Sequence, residues 1–142
     1  MSERPPATVR LVEESEATGR VAAVFADIRA TKGIEIVPNF WRALATNADH
    51  LELIWSRLKA IIHPEATGRT GRLDPLTREI IALAVSATNG CAYCVNSHTA
   101  AVRRLGLDVE ALGEVMAVVA LFHSTNAIAE GYQIVPDVLP PN

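Results

Sequence analysis

The pair Asn89-Gly90 separates two stretches of opposite character. Before it runs Ile80-Ile81-Ala82-Leu83-Ala84-Val85, apolar on every side of a helix. A helix of that kind is expected to be surrounded by others rather than to lie on a surface. After it comes Cys91-Ala92-Tyr93-Cys94-Val95-Asn96-Ser97-His98, which holds both cysteines of the chain and one of its four histidines. Asn-Gly is a strong breaker, and here it lets the two helices fold back on one another. Any fold for this chain must therefore bury an apolar helix beside a reactive one.

The rest of the chain also reads as helix. Residues 1–16 are polar and proline-bearing, an extended or loosely ordered arm. Val21, Val24, Phe25 and Ile28 recur at helical spacing until Gly33. Pro38-Asn39 opens a second helix over 40–47, with Phe40, Trp41 and Leu44 on its apolar side. A third, over 49–62, carries a stripe of Leu51, Ile54, Trp55, Leu58, Ile61 and Ile62, and Pro64 ends it. Asp74-Pro75 starts the fourth, Asp as N-cap and Pro in the first turn. The fifth runs from Cys91 to Gly106, a suitable residue to end it. Asp108 caps the sixth, 109–130, whose Leu112, Val115, Met116, Val119 and Phe122 are expected to face inward, with His123 beside them. No strand pattern is visible. The expected class is all-α: a single-domain bundle of about six helices over 17–135, followed by a non-helical tail over 136–142.

Charge and apolar content exclude several functions. The net charge is −3, and the arginine pairs Arg103-Arg104 and Arg69 with Arg72 are isolated, so a nucleic-acid partner is not expected. Gly68-Arg69-Thr70-Gly71-Arg72 lacks the lysine and the preceding strand of a phosphate loop. The apolar runs 80–85 and 115–122 fall short of the roughly 20 residues a membrane span needs, so no membrane partner is expected. The N-terminal residues carry no apolar signal segment, which points to the cytoplasm. Hydrophobic residues nonetheless make up 49% of the chain, an excess that suits a subunit interface.

The chemistry gathers on the fifth helix. At about 100° per residue, with Cys91 at zero, Cys94 falls near 300° and His98 near 340°. Val102 and Leu105 share that inward face, while Tyr93, Asn96, Arg103 and Arg104 lie opposite. Both thiols sit near a helix N-terminus, which stabilises negative charge, and a thiolate is the reactive form. His98, one turn after Cys94, can accept a thiol proton. The pair can close a disulfide once one sulfur is oxidised. Glu79, near the start of the fourth helix, would come close to the thiols as a buried proton-relay carboxylate if the two helices fold back. Three readings stand beside one another: a redox pair, inert core cysteines, and a zinc site that would need a fourth ligand. A haem attachment site is excluded, because Val95 and not histidine follows Cys94.

The pattern Arg-Glu-Ile-Ile-Ala-Leu-Ala-Val-(x5)-Cys-x-Tyr-Cys-x3-His-(x7)-Gly, from Arg78 to Gly106, resembles the core of the AhpD-like alkylhydroperoxidase branch of the carboxymuconolactone decarboxylase family. The likeness is close over 73–112, and residues 36–55 are similar to the leading helices of its peroxidase-related members. The resemblance implies an all-helical fold, assembly into homo-oligomers such as trimers or hexamers, and reduction of hydroperoxides at the expense of an external dithiol. No cofactor and no metal are expected. It also implies that Cys94 attacks the peroxide, that Cys91 resolves, and that Glu79 and His98 relay protons. One departure stands out: the family's best-known peroxidases carry a histidine just before the second cysteine, where this chain has Tyr93. Family decarboxylases lack the cysteine pair, so lactone decarboxylation is not expected. A non-catalytic redox-sensing subunit, whose disulfide alters assembly, is the rival reading.

Overall fold

The computed structural model describes residues 5–141. Residues 1–4 of the expected arm and residue 142 of the expected tail lie outside that range. Among the described residues the protein is all-helical, with no strand. Its helices are α1 (Gly19–Lys32), α2 (Asn39–Leu44), α3 (Ala48–Ile62), α4 (Pro75–Thr88), α5 (Ala92–Arg104) and α6 (Val109–Gly131). They fall into two compact units, one ending at Arg72 and the other beginning at Leu73.

In the first unit α3 packs on α1 and α2. Val24, Phe25 and Ile28 from α1, Val37, Trp41 and Ala45 around α2, and Leu51 and Trp55 from α3 form one buried apolar cluster. The Trp41 and Trp55 rings meet edge to face with centroids 5.2 Å apart, the arrangement the ring quadrupole favours. The indole N–H of Trp55 donates to Asp27 at 2.7 Å, and Lys59 donates to both oxygens of the same carboxylate. A buried indole thus keeps a hydrogen-bond partner. The chain before α1 is held down from residue 11 onward. Leu11 is buried, Val12 N–H donates to the Arg42 carbonyl, and Glu14 accepts from Val37 N–H and pairs with Arg29. The helix expected over 40–47 stops at Leu44, where Ala45, Thr46 and Asn47 form a turn. Asn47 is used instead to cap α3, its side chain accepting from His50 N–H.

In the second unit α4 packs against α5 and α6. Asp74 accepts from Thr77 N–H and Asp108 from Ala111 N–H, so both expected caps form. Two sequence expectations are corrected here. The apolar helix α4 is not surrounded within the chain: Arg78, Glu79, Leu83 and Ser86 are its buried residues, while Ile81 and Val85 are 47% and 51% exposed. Phe122 and His123 do not face inward. Phe122 is 54% exposed, and every residue of α6 from Leu121 onward is exposed. The reason is length. At about 1.5 Å per residue, the 23-residue α6 runs ~35 Å and the 14-residue α4 only ~21 Å. Only the first half of α6 therefore has a neighbour, and there Leu112, Val115, Met116 and Val119 are partly covered as expected. By length and composition α6 is also long and apolar enough to cross a membrane, which the shorter runs counted in the sequence did not suggest. Residues 133–141 are non-helical and exposed.

Candidate functional site

The site is built by the end of α4. Gly90 takes the left-handed conformation at φ +70°. Its N–H donates to the Ala87 carbonyl, and Cys91 N–H donates to the Ser86 carbonyl. This pair of bonds is the Schellman ending, which needs a residue free to adopt positive φ. It fixes the backbone of Cys91 against α4 and makes Cys91 the residue from which α5 starts. Cys91 is the N-cap of α5, and its Sγ accepts from the backbone N–H of Cys94 at 3.2 Å. A serine oxygen would do the same at that position. Cys94 lies in the first turn of α5.

The two sulfurs are joined as a disulfide, with Cα atoms 5.2 Å apart. Both cysteines are partly buried, and Tyr93 between them is 43% exposed. The expected inward face of α5 is present, with Val102 fully covered. Leu105, placed on that face by the helical wheel, is exposed where the helix ends.

Folding α4 against α5 brings Glu79 to His98. Glu79 Oε2 and His98 Nδ1 are 2.7 Å apart; the glutamate side chain is 6% exposed and the imidazole 22%. With the carboxylate ionised, Nδ1–H is the donor, and Nε2 is left as the ring's basic nitrogen. The same bond orients the ring, as an acceptor behind a histidine does in acid-base sites. His98 also stands one turn beyond Cys94 on α5, so an imidazole and a sulfur share one helix face. The four residues singled out in the sequence thus form two linked pairs, the disulfide and the carboxylate–imidazole pair.

Sequence reading passed over two neighbours. Arg78 is 93% buried beside Glu79, and Ser86 is buried on the same face. At about 100° per residue, Arg78, Ala82, Ser86, Glu79 and Leu83 span one arc of α4, and Ile81 and Val85 lie outside it. The polar residues at that spacing were the available signal, masked by the apolar run between them. His123, expected beside the inward residues of the sixth helix, lies on the exposed half of α6. Among the described residues, no group of three or more His, Cys, Asp or Glu side chains is arranged to hold a metal ion.

The model of the carboxymuconolactone decarboxylase family matches residues 58–136. The alkyl hydroperoxide reductase AhpD of Anaeromyxobacter sp. is 32% identical over 130 residues, which cover 82% of this chain and 68% of that one. The AhpD of Gluconacetobacter diazotrophicus is 36% identical over 77 residues, 54% of this chain and 42% of that one. That of Streptomyces coelicolor is 25% identical over 122 residues, 85% and 66% of the two chains. The chain thus spans between about two-fifths and two-thirds of the length of these relatives. The crystal structure of the alkylhydroperoxidase AhpD core from Rhodospirillum rubrum superposes with a TM-score of 0.86 at 44% identity, covering 93% of this chain and 95% of that one.

Proposed function

The chain belongs to the carboxymuconolactone decarboxylase family and has the AhpD-like fold, and from that premise we propose that it is a thiol-dependent peroxidase acting on alkyl hydroperoxides. The observation that carries the reading is the 2.7 Å bond between buried Glu79 and His98 on the helix that bears the disulfide. A buried carboxylate tied to an imidazole one turn from a cysteine is an arrangement suited to relaying protons.

In the proposed cycle His98 Nε2 takes the Cys94 proton, and the thiolate attacks the terminal peroxide oxygen. The O–O bond breaks, the alkoxide takes a proton from the His98–Glu79 pair, and Cys94 becomes a sulfenic acid. Cys91 attacks that sulfur, water leaves, and the Cys91–Cys94 disulfide forms. An external dithiol then reduces it, itself becoming a disulfide. No cofactor or metal takes part. Tyr93 supplies no second imidazole to this relay. Peroxide consumption with dithiothreitol as donor tests the reading: it disappears in Cys94→Ser, and retained turnover in that variant overturns the mechanism.

The proposal extends to the setting. The cytoplasm supplies dithiols that keep such a pair cycling, and cell fractionation that finds the protein elsewhere removes that part. Homo-oligomers, as trimers or hexamers, would cover Ile81 and Val85 on α4 and the uncovered half of α6. Light scattering that finds a single 15.3 kDa chain removes that part. The same open apolar face favours the second reading, a redox-sensing subunit. That reading expects oxidant to change the assembly mass with negligible peroxide turnover, and a steady-state assay at high protein concentration separates the two.

A further inference from the structure

We infer that Arg78 is the fixed positive charge of the site, a positioning residue that keeps the Glu79–His98 pair in its proton-accepting form. The inference rests on that pair being the relay proposed above, but not on peroxide being the substrate.

Among the described residues, the charged side chains that are buried are Arg78 and Glu79, consecutive in sequence and 7% and 5% exposed. A guanidinium keeps its charge at any working pH. Burying such a charge is costly unless an opposite one is buried with it. The position is also an adverse one for a cation. Arg78 N–H donates to the Asp74 carbonyl at the start of α4, and the positive end of the helix dipole lies there. Asp74, one turn earlier, is exposed and accepts from the hydroxyl and the N–H of Thr77. Arg78 and Glu79 have Cα atoms one peptide apart, about 3.8 Å, and both side chains fall on the covered arc of α4. Away from water, charges so close feel one another strongly.

The consequence follows from counting charge. Glu79 meets His98 at 2.7 Å. With the imidazole neutral, the guanidinium and the carboxylate sum to zero. A proton added to the pair then leaves a net positive charge beside a guanidinium that repels it. Without Arg78 the sums reverse: the pair is negative until it takes a proton and neutral afterwards. Arg78 therefore lowers the pH at which the pair takes up its proton. The other charged groups of α5 and α6 nearby, Arg103, Arg104, Glu110 and Glu114, are exposed, where water and salt screen them. The disulfide cysteines do not titrate. Arg78 thus leaves His98 Nε2 open to accept a thiol proton and holds that proton loosely enough to be passed on. A carboxylate–imidazole pair without it would store the proton as an ion pair.

Two measurements on the full chain in its disulfide form test this. In the first, histidine ring resonances are followed by NMR against pH, and that of His98 is identified by its loss in His98→Gln. Arg78→Met keeps the length of the side chain without its charge. The His98 midpoint is expected to rise by about one pH unit or more in that variant. Arg78→Lys keeps the charge and is expected to restore most of the shift. A midpoint that stays or falls in Arg78→Met overturns the inference, and so does a lysine variant that titrates like the methionine one. The second measurement does not need Arg78→Met to fold by itself. It compares urea unfolding of Glu79→Gln with that of Glu79→Gln/Arg78→Met. Once the carboxylate is gone, removing the buried guanidinium relieves the fold, so the double variant is expected to unfold at the higher urea concentration. An equal or lower midpoint overturns the inference. Neither readout contains peroxide. A failed peroxidase assay sinks the function and leaves this charge assignment standing, whereas unmoved midpoints with intact turnover do the reverse.

Discussion

In the unit ending at Arg72, eight apolar side chains close over one another around Phe25, Ile28 and Leu51. In the unit beginning at Leu73, the buried apolar side chains among the described residues are Leu83 and Val102, and Arg78, Glu79 and Ser86 are buried with them. Meanwhile Ile81, Val85, Leu121 and Phe122 of that second unit stand open. The first unit also exposes Ile36, Leu53 and Ile61, but among the described residues every side chain it buries is apolar, as the ordinary rule has it. The second inverts it along α4, whose covered arc holds Arg78 and Glu79 while its open arc holds isoleucine and valine. Burying a carboxylate is costly unless it is partnered, so the inversion points to a requirement beyond packing. The first unit is organised for stability, and the second around the groups that face α5.

This contrast can be broken at several points. The largest effect on stability belongs to the first unit. Trp55→Ala removes a ring from the centre of the cluster and the N–H that Asp27 accepts, and should cost roughly 3–5 kcal/mol in denaturant unfolding. Thiol reactivity of whatever protein remains folded should be little changed. A loss under 1 kcal/mol would show that the cluster is not what holds this unit.

A smaller loss is expected where the second unit builds its site. Gly90→Ala meets no atom within 4 Å, so its cost is backbone alone. Holding a residue with a Cβ at φ +70° should destabilise by about 1–2 kcal/mol. It should also shift the alkylation rate of Cys91 more than that of Cys94, because the turn holds the N-cap. Equal shifts would show that the turn does not act through the N-cap.

The smallest effect is a pH dependence in the first unit. Burial works to raise the Asp27 carboxyl, but hydrogen bonds from Lys59 and Trp55 outweigh it and hold the group below its ordinary value. A depressed folded-state value means stability that is present above the unfolded value, near 4, and lost as pH falls through the folded one. Asp27→Asn should therefore lower stability at neutral pH and flatten the acid limb of the stability profile below about pH 4. An unchanged acid limb would remove Asp27 from the account.

Much of the local structure was legible beforehand, for identifiable reasons. Asp74-Pro75 and Asp108 announce helix starts because their side chains bond the first free amides, and both do so. Asn89-Gly90 announces the turn because glycine alone adopts its φ without cost. Cys91, Cys94 and His98 share a helix face by arithmetic, and Glu79 reaches His98 once that turn is made. Phe122 and His123 were misplaced because periodicity gives a helix a face but cannot say how far a neighbour extends along it. Arg78 was passed over because an arginine at a helix start reads as solvated until something is seen to cover it.

The sequence by itself determined the helical class, the caps, the turn and the common face of the two cysteines and His98, because each depends on residues within a few positions of one another. Tertiary structure alone decided which arc of α4 is covered, that Glu79 lies 2.7 Å from His98, and that the second half of α6 is left open. Those outcomes depend on which surfaces meet and how long each helix is beside its neighbour. A helix carries its faces in its own spacing, but burial belongs to the pair.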